Sequence, residues 1–126
     1  MTSPNDRRYS AAHVWVQQQD DKSLTFGITE HAQTALGTIE NAELPAPGQQ
    51  IEANLPCGSL ESLKTVSDLI APLNAEVVEH NPALADDPAI INDDPYGDGW
   101  LLRLQGHSAE MYHSLLDADA YEAMFD

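Results

Sequence analysis

Short apolar runs, each broken within a few residues by proline, glycine or asparagine, dominate this chain and decide what it can fold into. Eight prolines and seven glycines are spread over 126 residues, and such residues end regular structure because they remove a backbone donor or favour turn geometry. His13-Val14-Trp15-Val16 has strand character, and Ser23-Leu24-Thr25-Phe26-Gly27-Ile28 alternates polar with apolar as a half-buried strand does. The polar stretch from Gln17 to Lys22 between them reads as a hairpin turn. Thr29 is placed to cap a short helix through Leu36, with Glu30 in its first turn favouring the helix dipole and Gly37 ending it. In Leu44-Pro45-Ala46-Pro47-Gly48 two prolines exclude helix and central strand, so this segment turns the chain into Ile51 and a further strand. Leu60 and Leu63 precede Lys64, and Val66, Leu69 and Ile70 follow it, which puts the lysine at a hairpin tip. Ala71 to Ala75 reads as another turn and Glu76 to Glu79 as another strand. The expected fold is mainly β, a small flattened barrel or sandwich.

The last third differs in kind. Asn92-Asp93-Asp94-Pro95-Tyr96-Gly97-Asp98-Gly99 is dense in turn formers, and Trp100 to Leu104 resumes a strand. Ser108 then caps a helix with Met111, Leu115 and Leu116 at helical spacing. Asp117 caps a final turn through Tyr121, Met124 and Phe125, whose apolar side chains are expected to pack on the sheet. Short helices at the periphery and a C-terminal helix complete the expectation. Residues 1–8 read as a loose polar leader and residues 9–126 as one domain.

Charge narrows the function classes. The chain has 21 acidic residues against five basic ones, a formal net charge of −16. Phosphate backbones are held by basic residues, so nucleic-acid binding is not expected. The acidic surface suits a soluble monomer, or steers the chain toward partners with basic patches. No run of about 18 apolar residues is present, so no membrane-spanning helix is expected. Met1 to Arg8 lacks both an apolar signal core and an Arg-rich amphipathic pattern, which points to a cytoplasmic location of bacterial type, or to the mitochondrial matrix if a transit peptide was removed. Cys57 is the lone cysteine, excluding an intrachain disulfide; it reads as a small buried hydrophobe rather than a nucleophile. His13, His31, His80, His107 and His113 show no ligand spacing with Cys57 or each other, so no metal site is expected.

Lys64 stands out by scarcity, since the only other lysine, Lys22, sits in a polar turn. Glu61 lies three residues before it and Asp68 four after it. On spacing alone an exposed turn lysine loosely paired with a carboxylate would explain it.

The segment Glu61-Ser62-Leu63-Lys64-Thr65-Val66-Ser67-Asp68 closely resembles the lipoylation signature of the glycine cleavage system H proteins, E-S-[VL]-K-x-x-S-[DE]. The resemblance runs from about Tyr9 onward and includes Gly27 to Gln33, Leu36-Gly37, Glu43-Leu44-Pro45 with Gly48, Glu76 to Asn81, Pro95 to Trp100 and Leu115 to Ala118. Biotinyl domains of similar shape usually present Met-Lys-Met, whereas this chain has Leu63-Lys64-Thr65. The resemblance implies a lipoyl-domain-like barrel-sandwich hybrid and a carrier rather than an enzyme. Lys64 would be amide-linked to lipoic acid, with Glu61, Ser62, Leu63, Ser67 and Asp68 as the modification motif read by the lipoylating enzymes. It further implies shuttling of an aminomethyl group from glycine decarboxylase to aminomethyltransferase, and of the dithiol to dihydrolipoamide dehydrogenase.

The family pattern fails at three places. Members usually have a polar residue, then His-Glu or His-Thr, then Trp near the N-terminus, where the region helps form the cleft that docks the loaded arm; here the chain reads Ala12-His13-Val14-Trp15. His13, Val14 and Asp68 are the candidate cleft residues, with Asp68 left to compensate for the missing acceptor at Val14. Ala75 stands where glycine is common, a cost of about 1 kcal/mol if the position needs positive φ. Thr65 replaces a small residue after the lysine. These departures keep open an H-like paralogue that carries or relays lipoate outside glycine cleavage. An unmodified acidic interaction domain is a third reading.

Overall fold

The computed structural model describes residues 4–19 and 21–124. In chain order it contains β1 (Arg8–Tyr9), β2 (Val14–Gln18), β3 (Leu24–Ile28), α1 (Glu30–Leu36), β4 (Ile39–Glu43), β5 (Gln50–Ile51), β6 (Pro56–Ser62), β7 (Val66–Ile70), β8 (Ala75–His80), α2 (Ala83–Asp86), α3 (Ile90–Asp93), β9 (Leu102–Gln105), α4 (Ala109–His113) and α5 (Ala118–Ala123). Every pairing is antiparallel. A six-stranded sheet runs β1-β2-β3-β9-β8-β5 and a three-stranded sheet runs β4-β6-β7. The fold is therefore mainly β as expected, but the two sheets do not close on each other into a barrel.

The main core lies where the inward faces meet. Val14, Val16, Leu24, Phe26 and Ile28 from β2 and β3 pack with Leu60, Leu69, Leu102 and Leu104, all at most 3 % exposed. Fully burying one such side chain contributes about 1.5–3 kcal/mol, so the strand alternation seen in the sequence sets both the faces and most of the stabilisation. Cys57 is half-buried against this core, and burial pushes its thiol up to about 11, which leaves it a protonated packing group.

The folded body begins earlier than Tyr9. The Arg7 guanidinium lies 4.6 Å above the Trp15 ring and 5.3 Å from that of Tyr96, and donates to the Tyr96 carbonyl at 3.0 Å. Arg8 forms β1 with Tyr9 against Val16 and Trp15. A polar reading of residues 1–8 missed this because an arginine stem buries well on aromatic faces while its head stays hydrogen-bonded.

Three further expectations are corrected. Ala75 sits in β8 opposite Ile51. The described non-glycine residues with positive φ are His13, Lys22 and Asn54, so alanine at 75 carries no strain. Asn92 and Asp93 belong to α3 rather than to a continuous turn. At the C-terminus, Ser108 and Asp117 cap α4 and α5 through their side-chain oxygens, as expected. Tyr121 is buried, but Met124 is 44 % exposed, and Phe125 lies outside the described residues.

Candidate functional site

Lys64 is the middle residue of the three-residue loop, Leu63 to Thr65, that joins β6 to β7. The Ser62 hydroxyl builds this turn: its Oγ accepts the Lys64 and Thr65 N–H groups, each at 3.2 Å, while the Ser62 N–H donates to the Thr65 carbonyl at 2.8 Å. A buried serine thus substitutes for turn glycine by offering a local acceptor. Leu63 and Val66 flank the lysine at 69 % and 61 % exposure. The ion pairs among the described residues are Arg7–Asp6 and Arg103–Glu79. Lys64 therefore has no carboxylate partner there, and loose pairing does not account for it.

Strand register sorts the motif residues by face. Leu60 opposes Ser67 on the inner face; Glu61 opposes Val66 and Ser59 opposes Asp68 on the outer one. Glu61 and Asp68 are both exposed on that outer face, where a modifying enzyme approaching Lys64 would meet them.

A pocket of about 180 Å³ opens between the β7 edge and the start of β2. It is lined by Ala12, His13, Val14, Ile28, Ala32, Ala35, Leu36, Leu60, Ser67, Asp68, Leu69 and Ile70. The candidate cleft residues His13, Val14 and Asp68 thus share one pocket. Asp68 of β7 pairs with Ser59 and is exposed, yet it also lines this pocket, so a carboxylate stands at the rim where Val14 offers no acceptor.

His13 is held from behind. Its backbone takes φ +63°, and its Nδ1 lies 2.7 Å from the Tyr121 hydroxyl, which lies 2.7 Å from Thr29 Oγ1. Tyr121 in turn stacks on Tyr9 with ring centroids 4.7 Å apart. The His31 ring lies 4.6 Å from that of His13. Burial, and secondarily the charge of His31, hold His13 below its ordinary value of 6.5. The unfolded chain therefore binds more protons than the folded one as pH falls through that value, so this contribution is fully present above pH 6.5 and declines below it. Urea melts on either side of pH 6.5 are expected to show lower stability at the acid side and a shallower dependence in His13→Gln. Equal dependence in the two chains would remove His13 as a cause.

Asn92, read from the sequence only as a turn former, and the Thr38 carbonyl brace the tip. Asn92 Nδ2 donates to the Gly37 carbonyl at 2.7 Å and to Gln33 Oε1 at 3.1 Å, while its Oδ1 accepts the Ile39 N–H at 2.8 Å. The Leu63 N–H donates to the Thr38 carbonyl at 3.3 Å. The corner between α1 and β4 is thereby fixed, and the hairpin tip is tied to it. Among the described residues, no group of three or more His, Cys, Asp or Glu could hold a metal ion.

Comparison with known proteins gives a consistent answer. A family model described as glycine cleavage H-protein matches residues 7–126. A protein named glycine cleavage system H protein from Halorhodospira halophila is 46 % identical over 121 residues, covering 96 % of this chain and 93 % of the relative. A probable glycine cleavage system H protein from Natronomonas pharaonis is 50 % identical over 120 residues, covering 95 % and 94 %. The crystal structure of a glycine cleavage system H protein from Mycobacterium marinum superposes with a TM-score of 0.86 at 41 % identity, covering 97 % of this chain and 98 % of that one.

Proposed function

This chain belongs to the glycine cleavage H-protein family, and from that premise we propose that Lys64 is the residue that carries lipoic acid in amide linkage. The chain is a carrier of the glycine cleavage system and not an enzyme. One observation supports the site above all: Lys64 is an exposed amine without an ion-pair partner among the described residues, displayed on a Ser62-built turn inside the motif Glu61 to Asp68. An amine so placed is accessible to an acylating enzyme, and acylation removes its charge at little cost because no salt bridge is lost. When bound, the lipoyl group supplies the thiol–disulfide chemistry that Cys57, half-buried and protonated, cannot.

The chain's own residues would do the rest. Tethering keeps the arm at high local concentration for successive partner enzymes. These would be glycine decarboxylase, aminomethyltransferase and dihydrolipoamide dehydrogenase, with lipoylating enzymes reading Glu61 and Asp68. The pocket lined by His13, Val14 and the alanines of α1 is of a kind to shelter the arm's end from water. The test is direct. Chain expressed with lipoate is expected to gain the mass of one lipoyl amide at Lys64 and to support glycine–bicarbonate carbon exchange with its cognate decarboxylase. Unmodified mass from cells that lipoylate other proteins would return the reading to an acidic interaction domain.

A second reading has a specific observation in its favour. The pocket wall presents Ala12 and Val14, neither of which offers a side-chain acceptor to an amine cargo, and Asp68 is the one carboxylate among the described residues of its lining. Such a pocket also suits a paralogue that carries or relays lipoate outside glycine cleavage. Lipoylated chain that donates lipoate elsewhere but fails in the exchange assay would select it. Val14→Glu should restore an acceptor at the wall and slow hydrolytic loss of the aminomethyl cargo several-fold. Val14 is only 2 % exposed, so the variant is also expected to melt lower. Unchanged loss of cargo from a folded Val14→Glu chain would show that the wall does not touch the amine.

A further inference from the structure

The side chain of Lys64 lies against Gly37. A Cβ placed on Gly37 would stand 3.0 Å from Lys64 Cε and 3.5 Å from Nζ, the first closer than nearly all real contacts of that kind. Gly37 itself has φ +81° and ψ −163°, a region that residues with side chains scarcely enter. Its position is set from several sides. Its N–H donates to the Gln33 carbonyl at 3.0 Å, its own carbonyl accepts from Asn92, and the next residue's carbonyl receives the N–H of Leu63 from the hairpin tip. Backbone and Asn92 contacts, rather than the lysine's own rotamers, thus bring the two elements together. Immediately before Gly37 on the same helix come Leu36, Ala35 and Ala32, which form the α1 side of the pocket.

We propose that Gly37 is a saddle across which the stem of the modified lysine passes to seat the arm in the pocket, a positioning residue whose missing side chain keeps that entry open. The proposal rests on the assignment of the lipoyl group to Lys64. A methyl group at Gly37 would stand where the end of the lysine stem now passes. The Asn92 corner holds the glycine in place, so it is the flexible stem that would turn aside and leave this route. The exposed amine would still be reachable by the lipoylating enzymes, while the arm would be held outside.

Two measurements on the full lipoylated chain test this. In the parent chain, nuclear Overhauser effects are expected between the Lys64 stem methylenes and the Gly37 α-protons. Arm-dependent shifts at Ala32 and Ala35 without contacts to Gly37 would overturn the proposal, because the arm would then enter by another route. In Gly37→Ala the mass gain at Lys64 should persist, and the thiols of the reduced arm should react several-fold faster than in the parent with a soluble thiol reagent. A folded, lipoylated Gly37→Ala chain with parental thiol reactivity would overturn it too. If that variant does not fold, the contacts in the parent chain decide. Absence of lipoyl mass at Lys64 in the parent would instead refute the site assignment, so the two failures are distinguishable.

Discussion

Lys64→Arg is expected to leave the fold intact and to abolish carrier function completely. The side chain is exposed and takes part in no ion pair among the described residues, so the change in stability should stay within about 0.5 kcal/mol. Arginine keeps the positive charge, which separates the loss of an acylatable amine from the loss of a cation. A guanidinium stays protonated at every physiological pH and offers no nucleophilic nitrogen to an activated carboxyl group. Intact mass should show no lipoyl amide, and glycine–bicarbonate exchange should fall to background. Lys22 is not expected to substitute. It lies in the turn between β2 and β3 at φ +71°, without the Ser62-built loop and without a Glu three residues before and an Asp four after it. Lipoyl mass recovered on Lys22, or exchange persisting in the variant, would sink the assignment.

A large loss of stability is expected from Gly58→Ala. Gly58 lies at the register shift in β6, and a Cβ there would stand 2.4 Å from the Glu43 carbonyl oxygen and 3.6 Å from Leu44 Cα. Backbone atoms of a paired strand cannot rotate away as a side-chain tip can. Relief therefore requires β4 and β6 to separate where Glu43 opposes Ser59. Overpacking of this kind costs about 2–3 kcal/mol, and a chain of this size should then melt roughly 10 °C lower. Gly48→Ala is the matched control, since nothing stands within 4 Å of its added Cβ and only the φ of +91° opposes it. Its cost should be about 1–2 kcal/mol. A Gly58→Ala chain that melts with the parent would mean that β4 and β6 are not packed this closely.

What could be read from the residues was mostly local. Thr29, Ser108 and Asp117 cap their helices because a side-chain oxygen reaches an N–H three residues on, and that geometry depends on nothing distant. The β2–β3 and β6–β7 hairpins followed from alternation on either side of polar turns. β4 was missed because Ile-Glu-Asn-Ala-Glu has one strong apolar residue, Ile39; its strand state comes from β6, which supplies the ladder. The short α2 and α3 carry no full helical period to detect. In the site, the lysine and its motif were legible, but the bracing was not. Asn92 acts across 53 to 59 residues, and no local pattern marks such a residue. Gly37 was read as a helix terminator and as part of the family likeness, and nothing local showed that the end of the Lys64 side chain lies against it.

The contacts behind His13 differ from those at Lys64 in how far apart along the chain their partners lie, and this gives the site an order of assembly. The turn around Lys64 closes on hydrogen bonds between residues two and three apart. The wall behind His13 depends on Tyr121, which is 108 residues from His13 and 92 from Thr29. Short loops close at smaller entropic cost than long ones. On a growing polypeptide the turn around Lys64 therefore has all of its own partners before α5, which completes the wall behind His13, has been made. A chain ending before Tyr121 would lack the hydroxyl that meets His13 Nδ1 and Thr29 Oγ1, while the hydrogen bonds that close the Lys64 turn would keep both partners.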